Sequence, residues 1–329
     1  MTSPVLEVTD LRTHVVTRWG TIRAVDGVSF TVQAGETLGL VGESGSGKSM
    51  TCLSVLRLVP EPAARIVGGS IRLDGEELST KTEREMQAVR GRRIAMILQD
   101  PMSSLNPVFS VGWQLGEALG MYHGLRGRAR AARATDLLGA VGISSPAQRL
   151  RAFPHQLSGG MRQRIVGAMA IAAPPRLLIA DEPTTSLDLT IQAQYLRLLK
   201  DLQAQHGLAM IFVTHNLGIV KRICDRVAVM YAGRIVESGP VSEIFRAPAH
   251  PYTQALLASV PRLGAGTEWL TAIDGQPPDL ATLPPGCAFR PRCAHAVERC
   301  AVDAPPETPV PSTSGALRAS RCWLHAGSA

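Results

Sequence analysis

Between a short apolar run and a helix-forming stretch the chain carries Gly42-Glu43-Ser44-Gly45-Ser46-Gly47-Lys48-Ser49. The pattern is glycine, four residues, glycine, lysine, serine. Its flanks restrict the fold as strongly as its letters do. Glu36-Thr37-Leu38-Gly39-Leu40-Val41 reads as a strand, and Met50 to Leu58 reads as a helix. Strand, glycine-rich loop and helix together form the setting in which such a string cradles phosphate instead of merely turning the chain. The glycines let backbone N–H groups turn inward, and the helix start adds partial positive charge. Lys48 then reaches the β- and γ-phosphates of a nucleoside triphosphate, and Ser49 offers its hydroxyl to Mg²⁺.

The 329 residues allow one large domain with appendages, or two domains. Hydrophobic residues make up 45% and charged residues 19%, which permits a sizeable core and excludes global disorder. Aromatics are only 4%, so that core is aliphatic. The net charge of +7 suits nucleic acid, an anionic membrane surface or phosphate ligands without choosing among them. The longest uncharged apolar run, Ile165 to Ala173, is far short of a membrane span. The first residues lack the charged start and apolar stretch of a signal peptide. A cytoplasmic setting with reduced cysteines is the resulting expectation.

Taken in order, Leu6 to Leu11 alternates as a half-buried strand, a turn falls near Arg18-Trp19-Gly20, and a second strand covers Ala24 to Val32. Gly69 to Gly75 is expected as a strand ending in an Asp-Gly turn, Thr82 to Val89 as a short helix, and Arg93 to Leu98 as a buried strand ending at Gln99. A glutamine there can reach the metal and the attacking water, although a surface turn would carry the same residue. Trp113–Tyr122, Arg128–Val141 and a stretch from near Gly159 to Ala172 fit helices, so about 108–173 forms a helical insertion in an alternating α/β chain. At its junction stands Leu157-Ser158-Gly159-Gly160-Met161-Arg162-Gln163-Arg164, where Ser158 caps a second helix start able to receive an anion.

Leu177 to Ala180 is a buried strand with Asp181 and Glu182 at its end. Adjacent side chains on extended backbone point apart. Asp181 is thus assigned to Mg²⁺ through water and Glu182 to the attacking water. Asp188 precedes a helix from Thr190 to Gln205, and His215 sits at the tip of strand Ala209–Thr214, within reach of a γ-phosphate. Helix Leu217–Ile223 and a hairpin around Ala232-Gly233 follow, then short helices at Val241–Phe245 and Tyr252–Leu257.

Composition shifts after Pro240. Cys287, Cys293, Cys300 and Cys322 fall in a proline- and glycine-rich segment with gaps of five, six and twenty-one residues. Cys52 and Cys224 read instead as core fillers in helices. A small loop-rich segment has little core, so a metal staple makes physical sense. Zinc favours closer cysteine pairs. Four thiolates at wider gaps suit an iron–sulfur cluster. Spacing alone leaves cluster and zinc nearly even, with disulfides third.

In this order the motifs resemble the ATP-binding subunits of ABC transporters, and the resemblance covers almost the whole chain. The strings Leu98 to Pro107, Ala249-His250-Pro251-Tyr252-Thr253 and Gly286 to Cys293 look more narrowly like the dipeptide/oligopeptide importers. The resemblance implies a P-loop ABC-type nucleotide-binding domain at 1–240, with a mixed sheet core, an antiparallel β subdomain and the helical insertion. It is followed by a C-terminal extension, 241–329, whose four cysteines hold a [4Fe–4S] cluster. It implies ATP at Gly42, Ser44, Gly45, Ser46, Gly47, Lys48, Ser49 and Met50, Mg²⁺ at Ser49, Gln99 and Asp181, and catalysis by Glu182, His215 and Gln99. Ser158, Gly159, Gly160 and Gln163 would act on the ATP of a second ATPase subunit, a related chain or a second copy, with Asp188 coupling the two sites.

Two transmembrane permease subunits and an extracytoplasmic substrate-binding protein complete the implied assembly, on the cytoplasmic face of the membrane. Peptide is the implied cargo, with nickel or sugars as alternatives and no nucleic-acid partner. This sequence departs from the family pattern at Met50, where threonine is frequent, at Val15, where an aromatic stacks on adenine, and at Asn216, where aspartate is usual. A non-transport ABC ATPase of DNA repair or ribosomes is the rival reading. It is disfavoured by a single phosphate loop and by the absence of inserted coiled coils. A P-loop kinase or GTPase has no use for Leu157 to Arg164.

Overall fold

The computed structural model describes residues 3–99, 104–185, 187–260, 273–313 and 315–326. The chain forms two compact units. One comprises Met1–Val32, Glu36–Thr80 and Phe212–Ala329; the other comprises Gln33–Gly35 and Lys81–Ile211.

The first unit opens on β1 (Leu6–Thr17) and β2 (Gly20–Val32), paired antiparallel with Leu6 opposite Val32 and Thr17 opposite Gly20. Both run longer than the alternation predicts, because the strands go on pairing with each other past the alternating stretch. Next come β3 (Thr37–Val41), buried at every residue, and α1 (Lys48–Val55). β4 (Ala64–Leu73) flanks β1, and the two-residue β5 (Glu76–Glu77) folds back on it across Asp74-Gly75. The resulting antiparallel sheet has the order β2-β1-β4-β5. Thr13 of β1 faces α1 from this sheet, its hydroxyl 2.7 Å from that of Ser54.

The second unit carries α2 (Glu83–Val89), capped by a reciprocal Thr82–Glu85 pair, and β6 (Ile94–Ile97). Leu98 lies beyond this strand and is exposed. The helical block follows as α3 (Val111–His123), α4 (Gly127–Ala140), α5 (Pro146–Arg149) and α6 (Gly159–Ala170). Ser110 and Ser158 cap α3 and α6 with their hydroxyls. β7 (Leu177–Asp181) lies parallel to β6, with Ile94 opposite Leu177 and Ile97 opposite Ala180. α7 (Leu189–His206) leads to β8 (Ala209–Val213), which lies beside β7.

The chain re-enters the first unit within β8. α8 (Leu217–Ile223) is followed by β9 (Arg226–Tyr231) and β10 (Arg234–Pro240), which turn about Ala232-Gly233. β9 runs parallel to β3, Leu38 opposite Arg226 and Val41 opposite Val229. α9 (Val241–Arg246), α10 (Pro251–Ala258) and the single turn α11 (Arg299–Val302) belong to the C-terminal segment. That segment also contributes β11 (Thr308–Pro309) and β12 (Ala319–Ser320), neither expected from its composition. β12 pairs with β10, Ser320 opposite Glu237, so the extension is packed into the first unit.

Candidate active site

The first unit presents the glycine loop between β3 and α1. Two glycines there are obligatory. Gly42 has φ 150° and an added Cβ would lie 2.2 Å from the Met230 carbonyl oxygen; Gly47 has φ 103° and would place one 2.3 Å from the Ala24 oxygen. Backbone therefore presses against the loop from β9 and β2 and fixes its curvature. The Lys48 side chain folds back into the loop. Its Nζ donates to the carbonyl oxygens of Gly42 at 2.8 Å and Glu43 at 2.9 Å. Ser46 is buried and Gly233 N–H bonds its carbonyl at 3.0 Å, while Ser44, Gly45 and Ser49 face outward and Met50 is half-buried.

His215 follows β8 in the same unit and is exposed. Asn216 caps α8, its Oδ1 accepting from Gly218 N–H at 2.9 Å. The substitution of asparagine for the usual aspartate keeps this cap, since both side chains present the same acceptor. Val15 is half-buried, pairs with Ile22 and Ala64, and offers no ring for stacking.

In the second unit Asp181 ends β7, 5% exposed. Glu182 departs from the expected extended backbone: its φ is 45°, in the left-handed region. Its aim thus comes from a sharp turn and not from strand alternation. Such conformations in a non-glycine residue cost energy and gather at functional sites. The Glu182 carboxylate accepts from Gln99 Nε2 at 3.2 Å and from the Thr185 hydroxyl at 3.0 Å. Gln99 and Glu182, expected to share the water site, are therefore already paired. The residues just after Gln99, 100–103, lie outside the described residues, as does Ser186.

At the start of α6, Ser158 is exposed and Gly159 and Gly160 are half-buried. Gly160 has a packing reason beyond exposing N–H groups, because an added Cβ would meet Ile191 of α7 at 2.7 Å. Gln163 is 1% exposed, turned inward beside Tyr195, so within this string its side chain is not presented to solvent as Ser158 is. Burial pushes the Tyr195 phenol well above its ordinary range, leaving a neutral neighbour for that amide. Asp188 caps α7, accepting from Ile191 N–H at 2.9 Å, and remains exposed.

Cys287, Cys293, Cys300 and Cys322 line one small pocket together with His250, His295 and Phe289. None is in a disulfide. Gly286 is required beside them, since a Cβ there would meet the Cys300 carbonyl oxygen at 2.3 Å. Burial pushes the Cys322 thiol up to about 11, with crowding by the other three cysteines adding to it; burial also raises the Cys287 thiol, helped by Cys300 and Cys293, and the Cys293 thiol, helped by Cys300. Among the described residues no three side chains of His, Cys, Asp or Glu stand close enough to hold a metal ion. The four thiols thus share a pocket without forming a closed ligand set. Cys52 is buried in α1 as expected; Cys224 is buried one residue past α8.

Sequence reasoning missed what grips the loop from outside. Glu43 N–H donates to the Tyr252 hydroxyl at 2.8 Å, and the Glu43 carboxylate takes a forked pair of bonds from Arg292 at 2.7 and 3.0 Å. The strings containing Tyr252 and Arg292 were visible, but their target 209 and 249 residues away was not.

The description "ABC transporter" matches residues 25–185, and "Oligopeptide/dipeptide transporter, C-terminal region" matches residues 236–300. A putative peptide import ATP-binding protein of Brucella melitensis is 51% identical over 97% of this chain and 96% of its own. The oligopeptide transport ATP-binding protein of Bacillus subtilis is 52% identical over 97% of this chain and 89% of its own. The dimeric post-hydrolysis ATP-binding cassette MJ0796 shares the fold, with a TM-score of 0.64 at 24% identity over 72% of this chain and 98% of that one. An ABC transporter component of Clostridium perfringens matches with a TM-score of 0.62 at 25% identity, over 75% of this chain and 92% of its own. A glycine loop holding its lysine, an acid pair closing a buried strand and full-length kinship agree: this chain belongs to the ABC transporter family, among the ATP-binding subunits of its oligopeptide and dipeptide importers.

Proposed function

We propose that this subunit drives peptide import by closing, with a second ATPase subunit, around ATP and reopening after hydrolysis. The observation that carries this is the inward fold of Lys48 between the Gly42 and Glu43 carbonyls. An ammonium stored inside the loop can exchange those two acceptors for β- and γ-phosphate oxygens with little reorganisation. Gly42, Ser44, Gly45, Ser46, Gly47, Ser49 and Met50 form the rest of the cradle. Val15 and Met50 place the weakest contacts at the adenine and α-phosphate end.

Water bonds to the γ-phosphorus as the bond from that phosphorus to the bridging oxygen breaks, the electron pair leaving on ADP. Glu182 takes the water proton, Gln99 holds Glu182 and the water in line, and His215 meets the γ-phosphate. Ser49, Gln99 and Asp181 are the residues that would hold Mg²⁺, which would supply neutralisation of the triphosphate charge. The exposed start of α6, Ser158-Gly159-Gly160, faces the γ-phosphate held by the other subunit, with Gln163 behind it and Asp188 relaying between the two sites. The second subunit is a related chain or a second copy. Both dock on two permease subunits at the cytoplasmic face of the membrane, fed by an extracytoplasmic binding protein. Among the described residues no helix is long and apolar enough to cross a membrane, which fits a peripheral subunit. Functionally, residues 1–240 are the cassette and 241–329 its extension.

Cys287, Cys293, Cys300 and Cys322 are the donors for a [4Fe–4S] cluster, with Zn²⁺ as the runner-up. A shared pocket and four thiol donors support this; closure to ligand distance is still required of the loops that carry them.

One preparation tests these roles. The chain is purified without oxygen, together with its membrane subunits, in vesicles. Peptide plus binding protein is expected to stimulate ATP hydrolysis, and Glu182→Gln to lower the rate at least about 100-fold. A Glu182→Gln transporter as fast as the original would remove Glu182 from the reaction. About four iron and four sulfide per chain support the cluster, and one zinc without iron refutes it.

A further inference from the structure

The phosphate loop is gripped from outside as well as from within. Glu43 is its second residue, and every hydrogen-bonding group of Glu43 is engaged. Its carbonyl receives Lys48 Nζ at 2.9 Å, its N–H donates to Tyr252 at 2.8 Å, and its carboxylate is forked by Arg292 at 2.7 and 3.0 Å. The Arg292 side chain is 3% exposed, against 25% for Glu43. Arg292 is itself fixed from behind, donating to the Asp274 carbonyl at 2.9 Å and lying 3.4 Å from the Tyr231 hydroxyl. Pro277, Pro278 and Leu280 of the same extension line a small cleft with Glu43, Ser44, Gly45 and Ser46. Arg292 lies in the turn that joins Cys287 to Cys293.

We propose that Arg292 is a positioning residue for ATP, through which the cysteine segment sets the affinity of the phosphate loop. The proposal rests on the reading that Gly42 to Ser49 hold the triphosphate. Two physical effects combine. A bidentate guanidinium–carboxylate pair fixes orientation as well as distance, so the Glu43 carbonyl is held where it stores Lys48. The pair also cancels a carboxylate that would otherwise stand beside an incoming triphosphate, where like charges repel strongly in a half-buried setting. Arg292 touches neither nucleotide nor water in this scheme; its effect passes through Glu43.

The test uses the full chain. ATP affinity is measured with Mg²⁺ by calorimetry on chains that also carry Glu182→Gln, and KM and kcat are measured on the transporter without that change. Arg292→Ala is expected to weaken ATP about tenfold, the equivalent of about 1.4 kcal/mol, and to raise KM similarly while kcat moves less than about twofold. Arg292→Lys, which keeps charge but loses the fork, falls between. Adding Glu43→Gln to Arg292→Ala removes the uncompensated charge and recovers most of the loss. A purely structural role predicts no such recovery.

Unchanged affinity in Arg292→Ala overturns the proposal, as does a double variant no better than Arg292→Ala alone. Lys48→Ala separates the two readings. If it leaves ATP binding intact, the loop is not the triphosphate site. If it abolishes binding while Arg292→Ala does nothing, only the role of Arg292 fails. Should Arg292→Ala not fold, the comparison of Arg292→Lys with its Glu43→Gln partner decides by the same criterion.

Discussion

Glu237 is 1% exposed and carries a carboxylate deep in the first unit. It accepts N–H bonds from Ala249 at 2.8 Å and His250 at 2.9 Å, and it faces Arg318 at 3.1 Å. The Arg318 side chain is only 7% exposed. Removing one partner of a buried pair strands the other charge, which typically costs about 3–5 kcal/mol. Arg318→Met is therefore expected to lower unfolding free energy by about that amount in a urea titration, while Arg318→Met with Glu237→Gln, which removes the stranded charge and keeps an acceptor for the backbone N–H groups, loses less. Equal losses in the two variants would show that packing, not the stranded charge, sets the cost. This pair, like Arg292 with Glu43, was not legible in the sequence. Each is a single arginine among 34 basic residues, meeting an acid 81 or 249 positions away. Lys48, Asp181 and Ser158 were legible because their neighbours in the chain define their surroundings. The turn at Glu182 was not, since its φ of 45° has no glycine or asparagine to announce it.

Elements followed the same rule. Buried strands such as β3, β7 and β8 were found within a residue or so, because a continuous apolar run bounded by turns has few alternatives. α1 was read through to Leu58 but ends at Val55. Arg57 takes a left-handed φ of 51°, and Leu58 N–H closes back on the Leu53 carbonyl at 2.8 Å, a stop made without the glycine that usually signals it. α5, β5 and β12 are two to four residues long, too short to carry a period. β5 nevertheless has a strong local anchor. Glu77 accepts from the hydroxyls of Ser70 and Ser79, from Ile71 N–H at 3.0 Å and from Ser79 N–H at 3.2 Å. Burial opposes ionisation of Glu77, yet these bonds together bring its pKa down to about 2 from 4.5. A carboxylate depressed in the folded state stabilises fully above its unfolded pKa and loses that contribution as pH falls through the folded value. Between about pH 4.5 and 2 the chain should lose about 2 kcal/mol from this site, discounted for partial exposure. Glu77→Gln should be less stable at neutral pH and lose less stability across that window than the original chain; an unchanged acid slope by urea titration would remove Glu77 as a source of it.

At the scale of the molecule, the functional division proposed at residue 240 differs from how the chain packs. The extension supplies β12 to the edge of β10, Arg318 to Glu237, and both Tyr252 and Arg292 to the phosphate loop. Its Phe289 packs with Tyr231 and Tyr252, ring centroids 5.3 and 5.4 Å apart, and Tyr231 and Tyr252 are 4.6 Å from each other. Phe289 is 2% exposed and Tyr252 fully buried. A chain ending at Pro240 would therefore expose Tyr231 and Glu237 and leave Glu43 without its guanidinium. Losing one buried aromatic of this kind costs about 3–5 kcal/mol, and the fragment loses both Phe289 and Tyr252. Since folded chains have only about 5–15 kcal/mol in hand, the fragment 1–240 should be recovered unfolded or aggregated. Full-length Phe289→Ala should fold, with a thermal midpoint lower by about 10 °C. A soluble 1–240 fragment that unfolds at the temperature of the whole chain would mean the extension is a passenger. Insoluble fragment together with a weakened but folded Phe289→Ala would mean that the cysteine segment is built into the first unit, where anything that loosens it reaches the phosphate loop through Tyr252 and Arg292.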